Sequence, residues 1–184
     1  MRGFFGMGVE GITKPMNVGN LLRSSHAFGA SFFFTVSPVV DIRSMKVSDT
    51  SGAFDSIPFY NFEKPEDILL PHKTSIVGVE FLEDAIELPS FRHPKQAVYV
   101  LGPEKGNLSE AMLNRCDFVI KIPMKFCVNV GVAGALIMYD RLITMGKFAE
   151  RPVAAGGPDE FAPENLKQEQ VISRTARHYK EKSK

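Results

Sequence analysis

Short apolar runs recur along this chain, separated by stretches whose apolar residues fall three and four apart. Residues 4–9 (FFGMGV), 31–36 (SFFFTV), 75–81 (SIVGVEF), 97–102 (AVYVLG) and 118–123 (FVIKIP) read as strands. The spacing predicts a helix over 17–29, with Asn17 as cap, Val18, Leu21, Leu22, Ser25 and Phe28 on one face, and Gly29 at its end. A short helix is expected over 108–116, capped by Ser109, and a long one from Val128 to about Lys147. Val130, Val132, Leu136, Ile137, Met138, Leu142, Ile143 and Met145 cover several faces of the long helix, so it is expected to be buried on more than one side. Gly131, Ala133, Gly134 and Ala135 let it approach other backbone closely. Strands alternating with helices predict an α/β fold with a mainly parallel sheet flanked by helices.

Residues 37–71 carry turn formers and one apolar run, IPFY, and receive no element. Residues 151–163 hold three prolines and two glycines and read as a linker. Residues 167–184 carry six Lys or Arg against two Glu, a net +4 that fits a frayed basic helix or a solvated tail. The chain thus divides into one domain over 1–150 and a linker with a basic tail over 151–184.

Composition narrows the classes. Apolar residues make up 44% of the 184, enough for a core, yet no run reaches the ~18 of a membrane span. Two cysteines make no disulfide framework. A soluble cytoplasmic protein is expected. The net charge is +1, so any nucleic-acid surface must be local.

In open α/β sheets ligands bind beyond the carboxyl ends of the strands, here after residues 9, 79, 101 and 122. Three stretches with polar residues beside glycine stand near such ends. In KPMNVGNLLR, Lys14, Asn17, Gly19, Asn20 and Arg23 gather at the start of a helix. Free amides, a bare Gly19 and a guanidinium one turn on can hold phosphate, and the same residues also fit a capped surface helix. In LGPEKGNLSE, Gly102 leaves room for a ligand against the backbone, and Glu104 stands where a cation or an Arg could pair with it. A solvated glutamate in a tight turn is the plainer reading. In IPMKFCVNVGVAGALIMYDRL, Cys127 and Asn129 sit at the mouth of the long helix, where no core needs them. A thiol near a helix N-terminus can act as a nucleophile, but no cysteine-hydrolase signature accompanies Cys127. The histidines are scattered, with no pair at metal-ligand spacing.

Taken in order, these stretches resemble the SpoU (TrmH-like) branch of the SPOUT RNA methyltransferases over residues 4 to 147. Asn17, Gly19 and Arg23 match the first motif. Gly102, Glu104 and Asn107-Leu108-Ser109 match the second, with Asn107 in place of a glycine. Ile122-Pro123-Met124 and Cys127-Val128-Asn129-Val130 match the third, with Cys127 in place of a serine. SGA at 51–53 with Ile57-Pro58 is similar to a further family segment.

The resemblance implies a deep C-terminal trefoil knot, a homodimer, and S-adenosylmethionine bound in a bent form by Val79, Leu101, Gly102, Ile122, Met124, Cys127 and Val130. It implies methyl transfer to a ribose 2′-hydroxyl of RNA, tRNA more than rRNA, with Arg23, Asn17, Glu104 and Asn129 as catalytic residues and Lys14, Asn20 and Arg23 on the RNA. Glu104 is expected to orient Arg23 or neighbouring loops. Two alternatives stay open: an RNA-binding protein with a cofactor pocket but little catalysis, and a base methyltransferase. The chain starts almost at its first strand, so no extra N-terminal RNA-binding domain is expected.

Overall fold

A computed structural model describes residues 3–48 and 52–152. The basic tail and nearly all of the linker lie outside these residues, as does Ser51. The strands are β1 (Phe4–Glu10), β2 (Phe32–Val36), β3 (Phe59–Phe62), β4 (Ser75–Val79), β5 (Ile86–Glu87), β6 (Gln96–Leu101) and β7 (Phe118–Lys121). The helices are α1 (Pro15–Ala27), α2 (Ile42–Ser48), α3 (Glu110–Leu113) and α4 (Val130–Met145).

All seven strands join one parallel sheet in the order β3-β2-β1-β6-β4-β7-β5. The chain therefore returns twice to insert a strand between others, β6 between β1 and β4, and β7 between β4 and β5. Side chains alternate along each strand and feed two cores. Met7, Val9, Phe33, Val77, Tyr99 and Leu101 face α1 and α4. Phe34, Val36, Ile76, Val98 and Val100 face Leu108 and Met112 on the opposite side. Burial on both faces is why these strands read as continuous apolar runs.

Helix α1 starts two residues before the expected Asn17. Lys14 is its N-cap without a side-chain bond, and Pro15 is its first residue, where a missing N–H costs nothing. Asn17 sits inside the first turn, which releases its side chain for other partners. Gly29, at φ 78°, ends the helix as expected. Ser109 caps α3 by accepting the Met112 amide. Residues 37–71, which received no element, hold α2, whose start Asp41 caps by accepting the Ser44 amide and hydroxyl, and edge strand β3, which begins within the apolar run IPFY.

Helix α4 is buried along one side only, by Val130, Gly131, Gly134, Ile137, Met138 and Arg141. A Cβ at Gly134 would lie 2.2 Å from Leu21 Cδ1, so α1 and α4 touch where a side chain is missing. Val132, Leu136, Tyr139, Leu142 and Met145 are 40–49% exposed on the other side. The expectation of burial on several faces is thus corrected: α1 and the sheet cover one face, and no described residue buries the second.

At the amino ends of β1 and β6 lies a buried polar cluster. The Arg141 guanidinium donates to the carbonyls of Phe4, Pro94 and Lys95 and to the Tyr99 hydroxyl. His93 Nδ1 lies 2.7 Å from the Tyr99 oxygen, and its Nε2 lies 2.9 Å from Asp140. Because the Tyr99 oxygen accepts from Arg141, its own proton goes to Nδ1, and the Nε2 proton of a neutral ring goes to Asp140. Burial lowers the His93 pKa and raises that of Tyr99 to about 12.

Candidate active site

The carboxyl ends of β4, β6 and β7, with Lys14 and Asn17 at the start of α1, surround a cleft of about 380 Å³. The segments after residues 79, 101 and 121 and the entrance of α4 form its walls. Val79, Leu101, Gly102, Ile122, Met124, Cys127 and Val130 all line it, together with Lys14, Asn17, Glu104 and Asn129. Arg23 and Asn20 do not. Both are exposed on α1, and Arg23 has no hydrogen-bond partner among the described residues. Gly19 is buried, so its bare face is not open to a ligand.

Glu104 organises one wall. Its Oε2 accepts the Thr13 amide at 3.0 Å and the Thr13 hydroxyl at 2.8 Å. Its Oε1 accepts the Lys14 amide at 3.1 Å and Asn17 Nδ2 at 2.8 Å. Burial pushes its pKa up, but the Thr13 and Asn17 hydrogen bonds outweigh that and hold the carboxyl below its ordinary value. With four donors on two oxygens, this carboxylate is an anchor and not a free base. It orients residues 13–17, the turn into α1, and makes no hydrogen bond or ion pair with Arg23.

Its charge also sets the direction of a chain of amides. Asn17 must turn Nδ2 toward the carboxylate, so its Oδ1 accepts Asn129 Nδ2 at 2.9 Å. Asn129 Oδ1 in turn accepts the Gly131 amide at 2.8 Å and caps α4. The three stretches singled out in the sequence thus meet through Glu104, Asn17 and Asn129.

In the middle stretch the left-handed residue is Gly106, at φ 102°, and not Asn107. Gly106, one residue before Asn107, supplies the turn, so Asn107 need not. At Gly102 a Cβ would come within 3.2 Å of Glu80 Oε2 and 3.3 Å of the Leu108 amide nitrogen. Sequence reasoning missed Glu80, Phe81 and Lys121, which also line the cleft. Their positions at the ends of β4 and β7 were the available signal. Lys121 Nζ donates to the carbonyls of Leu82 and Glu83 and fixes the loop after β4. Cys127 is exposed at the rim, whereas Cys116 is partly buried and its thiol is pushed up to about 11. Among the described residues no cluster of His, Cys, Asp and Glu could hold a metal ion, and no helix is long and apolar enough to cross a membrane.

A wholly parallel sheet with a cleft beyond its carboxyl ends is the architecture of a small-molecule-binding α/β protein. The model of the SpoU rRNA methylase family matches residues 7–139, and the chain belongs to that family. A Staphylococcus haemolyticus protein assigned to the TrmH family of tRNA/rRNA methyltransferases is 29% identical over 143 residues, covering 72% of this chain and 55% of the relative. The chain spans about half the length of the curated relatives it matches. The SpoU methyltransferase AviRb from Streptomyces viridochromogenes, crystallised with AdoMet, has the same fold, with a TM-score of 0.71 at 23% identity over 79% of this chain and 59% of that one. A structure from work on 2-OH methylation of C/U34 on tRNA gives a TM-score of 0.67 at 19% identity, over 79% of this chain and 98% of that one.

Proposed function

We propose that this chain is an S-adenosylmethionine-dependent RNA methyltransferase that acts on a ribose 2′-hydroxyl, with tRNA as its substrate. The observation that carries this reading is the cleft itself, where Glu104, Asn17 and Asn129 are joined in one hydrogen-bonded chain. The residues present suit the cofactor. Val79, Leu101, Ile122, Met124 and Val130 offer apolar walls, Gly102 exposes backbone, and Glu80 and Glu104 place negative charge near a cationic group. The volume lies within the ~300–1,000 Å³ of small-molecule sites. The electrophile comes with the cofactor, as a methyl group on a sulfonium.

The chain's own residues then align the 2′-oxygen and assist loss of its proton. Alignment alone is worth up to roughly 7–11 kcal/mol. Asn129, fixed by Asn17 and by its capping bond, keeps one N–H free at the mouth of α4 for the reacting ribose. Arg23 carries the RNA-facing role that its motif implies. Its guanidinium, a planar fork of donors, suits an RNA phosphate, and its exposed position on α1 outside the cleft leaves it accessible to RNA. Lys14 and Asn20 flank it as further RNA contacts.

The interleaved strand order supports the trefoil knot, and the exposed apolar side of α4 supports a homodimer. The test is to incubate the protein with tRNA and rRNA transcripts and labelled S-adenosylmethionine, then to identify the modified nucleoside by mass spectrometry. A 2′-O-methylated nucleoside from tRNA, abolished by Arg23→Ala, is expected. Methyl found only on a base overturns the 2′-O assignment, and methyl found only on rRNA overturns the tRNA assignment. RNA binding with no methyl transfer to either RNA overturns the enzyme reading.

A further inference from the structure

Loop 102–108, between β6 and α3, forms one wall of the cleft, and its composition does not make it rigid. It holds Gly102, Pro103 and Gly106, and residues 105–107 are exposed. Its two ends nevertheless meet at one side chain. Glu80 Oε2 accepts the Leu108 amide at 2.7 Å, and the same oxygen lies 3.2 Å from where a Cβ of Gly102 would stand. Glu80 Oε1 accepts the Phe81 amide at 2.8 Å, which fixes the carboxylate's rotamer. The Glu80 amide donates to Ile120 O at 3.0 Å, which ties the residue to β7. One residue thus links the three cleft-lining segments at 79–81, 102–108 and 120–122.

We infer that Glu80 is a positioning residue of the cleft, closing the neck of loop 102–108 so that Gly102 and Leu101 keep their places against the cofactor. The inference rests on the cofactor reading above. A carboxylate suits the task because two backbone donors approach it from different segments, one on each oxygen. Glutamine offers one acceptor oxygen and turns an NH₂ toward the second donor. Both bonds are charge-assisted, and the one from Leu108, which closes the loop, is partly shielded from water, where such bonds are strongest.

Glu10 gives the contrast. Its carboxylate accepts the Ser109 amide at 2.8 Å and the Ser109 hydroxyl at 2.6 Å, one residue further along the chain. It is buried and does not line the cleft. It secures the start of α3, so its loss should lower stability without touching the cofactor.

The experiment is calorimetric titration of the full chain with S-adenosylmethionine, for the wild type, Glu80→Ala, Glu80→Gln and Glu10→Ala. Hydrogen exchange of the Leu108 amide is followed in each. Glu80→Ala should weaken binding about tenfold or more and Glu80→Gln about threefold, with faster Leu108 exchange in both. In turnover assays KM for the cofactor should rise while kcat stays within about twofold. Glu10→Ala should lower Tm and leave Kd unchanged. Glu80→Gln carries the test if Glu80→Ala does not fold. Wild-type affinity in both Glu80 variants, or equal weakening in Glu80→Ala and Glu10→Ala, overturns the inference. A wild type that does not bind S-adenosylmethionine overturns the function proposed above and this inference with it.

Discussion

Asn17 and Glu104, 87 residues apart in the chain, are joined side chain to side chain at 2.8 Å. The bond couples the first turn of α1 to the loop after β6, and through Asn129 to the mouth of α4. Replacing Asn17 by Asp sets two carboxylates against each other and removes the donor. The Asn17→Asp variant should lose at least about tenfold in methyl-transfer rate, the effect of one part-buried hydrogen bond of ~1–3 kcal/mol. Asn17→Ala should lose less, because no like charge is created. Transfer of labelled methyl to tRNA measures both, and an Asp variant as active as wild type would show that the chain of amides does not serve catalysis.

The His93 cluster predicts a pH dependence of stability. Burial lowers the folded pKa of His93 below its unfolded value of 6.5, so the fold favours the neutral ring. That stabilisation is fully present above pH 6.5 and shrinks as pH falls through the window between the unfolded and folded pKa. A protonated ring would also turn a donor toward Tyr99, whose oxygen already accepts from Arg141. Glu104, held below its ordinary value, loses its contribution only at lower pH, beneath the usual carboxylate range of ~4. Thermal melts from pH 8 to 5 should therefore show Tm level down to about 6.5 and declining below it. His93→Gln, which does not titrate, should flatten that decline.

Much of this architecture is legible in the sequence because its signals are local. The runs at 4–9, 31–36 and 97–102 are long enough and apolar enough to name as strands, and Gly29 and Ser109 mark their helix ends. The cleft-lining residues proposed for the cofactor are named by motif resemblance, and Val79, Leu101, Gly102 and Ile122 also stand at or just past strand ends, where the general rule for such sheets points. What was not legible depends on distant partners. Asn17 read as a cap because Asn before an apolar helix usually is one, and only the fold reveals Glu104 opposite it. Glu80 looked like the tail of a strand until Leu108 was brought to it from 28 residues away. His93 was one of four scattered histidines, and its partners Tyr99 and Asp140 meet it only in the folded chain. The open side of α4 escaped notice because an apolar helix shows the same pattern whether its second face meets this chain or another.

The two thiols should differ sharply in reactivity. Cys127 is exposed at the rim of the cleft, whereas Cys116 donates to Met112 O, lies partly buried, and has its pKa raised to about 11, mainly by burial. Thiolate, not thiol, is the nucleophile, so Cys116 should be nearly inert at pH 7.5. Brief treatment with iodoacetamide should modify one cysteine per chain, and peptide mass spectrometry should place the label on Cys127. Saturating S-adenosylmethionine should slow that reaction at least about threefold by covering the cleft. Cys127→Ser should abolish the label while keeping cofactor affinity, since the backbone at this position is unchanged. Labelling that ignores the cofactor would remove Cys127 from the binding surface.

The stripe formed by Val132, Leu136, Tyr139, Leu142 and Met145 follows one side of α4 at three- and four-residue spacing, with every member 40–49% exposed. An apolar stripe of this length on a helix is costly to leave in water, and in the homodimer proposed above a second copy of the same chain would cover it with identical, self-complementary chemistry. A charge at the centre of such a contact is buried twice, once from each copy, without a partner. Leu136→Glu should therefore weaken self-association by about a hundredfold or more. In sedimentation at micromolar concentration the wild type should run as a dimer and the variant as a monomer of unchanged circular dichroism. A wild type that is monomeric across this range would overturn the homodimer, and the stripe would then need a different partner.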